Sequence, residues 1–244
     1  MNSKVLLLVF VIGVQAFINA QSKDNSGLNI VFKEAQDKFS IEEKHLIDSI
    51  IVQADNQVRS LLSGFPENVK VIVSITDENV NQLGGVNGRT ESNNPSVVIV
   101  EVSKVYPGGV KKAIETALAA LIFHEFHHLY RGWAIQDNKF GRGISIAAVN
   151  EGMAVVFSEI YTGVVLEGNI PPNDADEWAK ELMQLPKNAN YSTWMFKHPD
   201  GRAAVGYRAG SFIIRKVMTS TGKGIIDLSN LGPDEILKLA GYLE

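Results

Sequence analysis

Apolar residues recur at helical spacing at Leu46, Ile47, Ile50, Ile51, Ala54 and Val58. Ser40-Ile41-Glu42-Glu43 in front of them has the form of a capping box, so a helix from Ile41 to about Leu62 is expected. Residues 28–32 have the character of a short first strand. Residues 69–75 and 96–102 are rich in β-branched side chains with partial alternation, and both predict strands. Between them Gly84-Gly85, Gly88 and Asn93-Asn94-Pro95 are turn chemistry, not a phosphate loop, because no helix with a lysine follows. After the break at Pro107-Gly108-Gly109, residues 111–131 are rich in Ala and Leu and predict a mostly buried helix. Further helical spacing follows at Met153, Val156 and Ile160, in residues 206–218, and in a short tail helix from Pro233. Strands and helices alternate first and helices follow, which is the α+β class.

The amino terminus is read as an address. Lys4 precedes an apolar run at residues 5–18, then Asn19 and Ala20 lead into the polar Gln21-Ser22-Lys23-Asp24. As a helix the run rises only about 21 Å, short of the hydrocarbon thickness of about 30 Å. Residues 1–20 are therefore expected to be a signal peptide cleaved after Ala20, with no stable membrane span afterwards. Residues 21–244 form one domain in this reading, exported to a periplasm or secreted.

Composition narrows the chemistry. The 244 residues are 45% hydrophobic and carry 27 acids against 23 Lys plus Arg, for a net charge of -4. That supports a folded domain with a sizeable core and argues against nucleic acid as partner. Cysteine is absent, which removes disulfides, thiolate nucleophiles and Cys-ligated metals together. A metal in this chain has to be held by His and carboxylate.

Three of the five histidines stand in His124-Glu125-Phe126-His127-His128, which contains H-E-x-x-H. At about 100° per residue His128 lies about 40° from His124 and one turn along, so both imidazoles reach one ion from one helix face. Glu125 is about 80° round from that face, too far for a natural third ligand but placed as general base for a water activated at the metal. His127 falls about 80° to the other side and is expected at the cleft rim without a ligand role. Ala113, Ala117 and Ala120 form a stripe leading into the histidines that would let a second helix approach. This chain's own residue frequencies give H-[DE]-x-x-H a chance occurrence on the order of 1%.

The third ligand is assigned to Glu151, 23 positions after His128, at the opening of the next helix, with Glu159 and Glu167 as fallbacks. Glu159 is about 80° round from Glu151 and expected to face solvent. For the oxyanion of a hydrolytic reaction the candidate is Tyr207, with Arg208 and His198 behind it; a tyrosine packed between helices is the other reading of that residue. His45 is read as solvated or packing, His198 as a turn residue, and Trp133, Trp178 and Trp194 stay unassigned.

His124-Glu125-x-x-His128 followed by Asn150-Glu151-Gly152-x-Ala154 resembles the gluzincins, metallopeptidases whose zinc is held by two histidines of H-E-x-x-H and a glutamate on the next helix. With Gly206-Tyr207-Arg208-Ala209-Gly210 added, residues 97–219 are most similar to the YjaZ-like family of predicted zinc-dependent proteases. The resemblance implies a zincin-like fold: a small mixed sheet whose edge strand, residues 96–102, lies above the buried H-E-x-x-H helix, then a mainly helical second half. It implies one zinc per chain and an extended peptide substrate along that edge. Two departures stand out. The acidic residue many gluzincins carry four positions after the third ligand is Val155 here, and the gap between second and third ligands exceeds that of thermolysin-like enzymes.

The expected function is peptide-bond hydrolysis, with Glu125 taking a proton from the attacking water and passing one to the leaving amine. Hydrolysis of a non-peptide amide or ester at the same site stays open. So does a zinc-holding structural or partner-binding protein, although such a site does not require Glu125.

Overall fold

The computed structural model describes residues 27–244, so the expected signal peptide at residues 1–20 lies outside the described residues. Strand β1 (Gly27–Phe32) leads into helix α1 (Ile41–Leu61). Ser40 caps α1 as expected: its hydroxyl accepts the Glu43 N–H, and the Glu43 carboxylate accepts the Ser40 N–H at 2.7 Å. The chain then crosses over to β2 (Asn68–Thr76), parallel to β1. Strands β3 (Val86–Asn93) and β4 (Ser96–Ser103) are an antiparallel pair, and β4 runs parallel to β2, so the four strands take the order β1-β2-β4-β3. Val69, Val71 and Val73 of β2 and Val98, Val100 and Val102 of β4 alternate into one core, where Ile47, Ile51 and Val58 of α1 join them.

The sheet edge nearest the histidine helix is therefore β3, and residues 96–102 are interior. Val-Asn-Gly-Arg-Thr-Glu-Ser-Asn lacks the apolar signature of a strand because an edge strand has to bury only alternate residues. Here these are Val86, Thr90 and Ser92, two of them polar. The flanking Gly84-Gly85 and Asn93-Asn94-Pro95 are turns, as expected, but Gly88 lies within the strand.

Helix α2 (Gly109–Ala113), a π turn at Ile114–Leu118 and α3 (Ala119–Arg131) follow one another without a break. The π turn inserts an extra residue and rotates the residues before it by about 100° relative to those after it. That is why the alanine stripe does not receive a second helix along its length. A Cβ built on Gly84 would stand 2.5 Å from that of Ala117, and one on Gly85 would stand 2.7 Å from that of Ala113, so these alanines accommodate the turn into β3.

The second half is helical: α4 (Ile144–Thr162), α5 (Ala175–Met183), α6 (Tyr191–Met195), α7 (Val205–Thr221), α8 (Ile225–Ser229) and α9 (Pro233–Leu239). By length and composition α4 could cross a membrane, with mean hydropathy 1.2, but 72% of that stretch is buried inside the domain. It is the core helix. Its start at Ile144 places Glu151 two turns inside the helix and not at its opening.

Helices α4 and α7 cross backbone on backbone. A Cβ on Gly152 would stand 2.1 Å from the carbonyl carbon of Gly210, and a Cβ on Gly210 would stand 1.9 Å from the carbonyl oxygen of Ala148. Neither glycine has room for a methyl group. Gly152→Ala is expected to destabilise the domain by about 3 kcal/mol. In a thermal melt this corresponds to a fall in Tm on the order of 5–10 °C.

Candidate metal centre

Helix α3 is buried on nearly every side, and Gly132, in the left-handed region at φ 77°, ends it. One helical turn sets the rings of His124 and His128 at right angles with their centres 4.5 Å apart. Their Nε2 atoms are 3.0 Å from each other, and each is 3.1 Å from Oε2 of Glu151 on α4. His128 and Glu151 are buried and His124 is nearly so. The structure thus joins the three residues that the sequence singles out, and among the described residues they form a cluster able to hold a metal ion.

Hydrogen bonding alone cannot satisfy this triangle. If both Nε2 atoms carry protons toward the carboxylate, two N–H dipoles oppose each other across 3.0 Å. If only one does, two lone pairs face each other instead. A cation among the three atoms removes the conflict in either case. A zinc ion with bonds of about 2.0–2.1 Å in tetrahedral array spaces its ligand atoms by about 3.3 Å, close to the observed triangle, and leaves a fourth position open. The field is matched as well. Burial pushes the Glu151 carboxyl up, but His128 and His124 overcome it and hold the carboxyl below its usual range. Burial also opposes the charged form of His124, and Glu151, with Glu125 nearby, raises that imidazole above its ordinary value.

Glu125 stands outside the triangle, as the helical wheel requires. Thr90 of β3 reaches it: the Thr90 hydroxyl is 3.0 Å from Oε2 of Glu125 and 3.0 Å from the Glu125 backbone carbonyl. Behind Glu151, the Trp133 indole N–H donates to Oε1 at 2.9 Å. The turn at Gly132 brings this about, with the Trp133 backbone N–H bonded to the His128 carbonyl at 2.9 Å. Neither contact is visible in the sequence, Thr90 because its strand carries no apolar signature and Trp133 because only the turn aims its ring back. A tryptophan directly after a helix-ending glycine is the one available signal. Position 155 is buried valine, and Nδ1 of His128 is buried with no partner among the described residues.

Tyr207, in the first turn of α7, stacks near His124 with ring centres 6.4 Å apart and planes 24° from parallel. Burial first, then the charge of Glu151 and neighbours, raises its phenol well above the ordinary value, so it stays protonated and can donate a hydrogen bond. Tyr191 of α6, which carries no sequence signal and is 41% exposed, is raised as well, by partial desolvation of its phenol at the cleft and by Glu151 and Glu125. The other candidates are engaged elsewhere. Arg208 donates to the Ile170 carbonyl at 2.7 Å and lies over Trp178, and His198 pairs with Asp200 at 2.8 Å beside Trp194. Glu159 pairs with Arg215, Glu167 is exposed in a turn, and His45 is exposed on α1.

His127 corrects an expectation. It is fully buried away from the cleft, with Nε2 2.8 Å from the Ser229 hydroxyl and its ring 4.8 Å from Phe157. Arg131, one turn on, donates to Asn150 Oδ1 at 2.9 Å and to the carbonyls of Ser229 and Leu231 at 2.7 and 3.0 Å. Burial lowers its pKa to about 10. These contacts fasten the two helices that carry the triangle to the carboxy-terminal segment, which packs where the wheel alone suggested open cleft.

Because Trp133 occupies one carboxylate oxygen and leaves the other to the imidazoles, Trp133→Phe is expected to weaken zinc affinity about 10- to 100-fold, read by competition against a chelator. Trp133→Gln, which keeps a donor, should recover part of the loss.

No solved structure matches this chain significantly. A family model described as Predicted Zn-dependent protease (DUF2268) matches residues 53–238, from within α1 to within α9, in agreement with the resemblance carried by the three motifs. On that match, with His124, His128 and Glu151 gathered inside it, the chain belongs to the DUF2268 family of predicted Zn-dependent proteases.

Proposed function

We propose that this protein is an exported zinc-dependent peptidase with one zinc per chain, held by His124, His128 and Glu151. The observation that carries the reading is the Nε2, Nε2, Oε2 triangle with a separate carboxylate, Glu125, beside it. When bound there, zinc would supply Lewis acidity toward a carbonyl and lower the pKa of water. Everything else falls to the chain's own residues.

Glu125, oriented by Thr90, takes the proton of the attacking water and delivers one to the leaving amine. The Tyr207 phenol, kept protonated by its surroundings, donates to the carbonyl oxygen as negative charge develops there. Strand β3 offers the substrate a backbone. Ser103 N–H bonds inward to the Gly85 carbonyl, while the Thr90 carbonyl accepts Ile135 N–H from the outer side. By that alternation Val86 and Gly88 also turn their N–H and C=O outward, beside Glu125. An extended peptide can pair with this open stretch. Beyond it Ile135 and Gln136 close the edge through Thr90 and Glu91. The apolar run at residues 5–18 is the support for export, and residues 21–244 are taken as the mature domain.

Metal analysis by mass spectrometry should find about one zinc per wild-type chain, and little in His128→Ala or Glu151→Ala. Glu125→Gln should keep the zinc and lose about 100- to 10,000-fold in peptide hydrolysis. A chain that takes up no zinc on reconstitution, or a Glu125→Gln variant of undiminished activity, would overturn the reading. Tyr207→Phe should lower kcat about 100-fold with little change in KM, the mark of a contact made in the transition state.

A further inference from the structure

Two cavities meet over the cluster, sharing Glu125, Gly88, Tyr207 and Phe196 in their linings. Their chemistry differs. The first, about 560 Å³, is walled by Leu121, Val164, Leu166, Met195 and Phe196. Among the described residues the only ionisable groups in its wall are His124, Glu125 and Tyr207, all at the site itself. Its volume lies within the roughly 300–1,000 Å³ of ordinary ligand pockets and accommodates one large side chain. The other polar groups in that wall, the side chains of Asn79, Asn81, Gln82, Asn87, Asn169 and Ser158, are neutral, so a charged group placed there would meet no opposite charge away from the site itself.

The second cavity, about 1260 Å³, is wider and carries Arg89, Arg142 and Lys187. Arg89 is engaged by Glu91 and Glu101, whereas Arg142 and Lys187 have no carboxylate partner among the described residues. The acids in this wall are Glu125 and Glu151 at the site and Glu78, which is two residues from Val80, a residue lining both cavities. The two unpaired cations come instead from the loops before α4 and α6.

We propose that this asymmetry selects the substrate: a peptide with a bulky apolar residue on one side of the scissile bond, seated in the smaller cavity, and an acidic residue on the other, facing Arg142 and Lys187. The inference rests on the peptidase reading, because only a chain lying along β3 would enter both cavities at once. The apolar subsite is the stronger determinant, since Arg142 and Lys187 are exposed and partly screened.

The test is the cleavage profile of the zinc-loaded wild-type protein on a peptide library, with the product ends sequenced. Leu, Phe, Met or Ile should dominate one position next to the cut, with kcat/KM about 10- to 100-fold above the Asp peptide, and Asp or Glu should be enriched on the opposite side. Val164→Glu should move the dominant residue to Lys or Arg, and Arg142→Glu with Lys187→Glu should abolish the acidic enrichment. A second readout does not depend on turnover. On zinc-loaded Glu125→Gln, fluorescence anisotropy should show the apolar peptide binding about tenfold tighter than its Asp counterpart. Cleavage without an apolar preference, or a preference untouched by Val164→Glu, would overturn the inference and leave the peptidase reading standing. Absence of cleavage by the wild type with the tenfold difference in binding intact would sink the peptidase reading and sustain the recognition.

Discussion

Two imidazole nitrogens and a carboxylate oxygen held about 3 Å apart at the floor of a cleft make an arrangement that hydrogen bonds among the three cannot fully satisfy. The surrounding structure holds it in place. Helix α3 supplies the two histidines at a spacing fixed by helical geometry, α4 brings the carboxylate, and the C-terminal segment prevents the two helices from separating. Trp133 fixes one oxygen of Glu151, and Arg131 links α3 through Asn150, the neighbour of Glu151, to the turn after α8.

The crossing of α4 and α7 ties the His124, His128 and Glu151 triangle to the rest of the site. Gly152 follows Glu151 directly, and Gly210 lies less than one turn after Tyr207, so the contact that lets the helices touch also brings the phenol beside His124. Glu151-Gly152 and Gly206-Tyr207-Arg208-Ala209-Gly210 are in this sense two halves of one joint. The glycine beside Glu151 is a packing requirement.

Charge is distributed economically around this joint. Glu151 is kept ionised by the imidazoles it faces, while Tyr207 is kept neutral by burial and by that same carboxylate. Glu125 stands one position after His124 on α3 and meets the hydroxyl of Thr90, so the cleft holds two carboxylates in different surroundings.

The sequence alone determined what depends on the geometry of a single helix or on a local cap. His124 and His128 on one face and Glu125 beside it come from a fixed angle and rise per residue, the Ser40 cap from a four-residue motif, and Glu151 from the apolar spacing of the next helix together with the resemblance of its motif. The tertiary structure decided what depends on which surfaces meet. The edge strand β3 hides behind a polar sequence because only half of it is buried. The π turn breaks the phase on which the alanine stripe was read, and Trp133 turns to Glu151 only because Gly132 reverses the chain. Thr90 reaches Glu125 across 35 residues and His127 finds Ser229 across 102. Such contacts are set by the packing of whole elements, a property of the folded chain that no local spacing encodes.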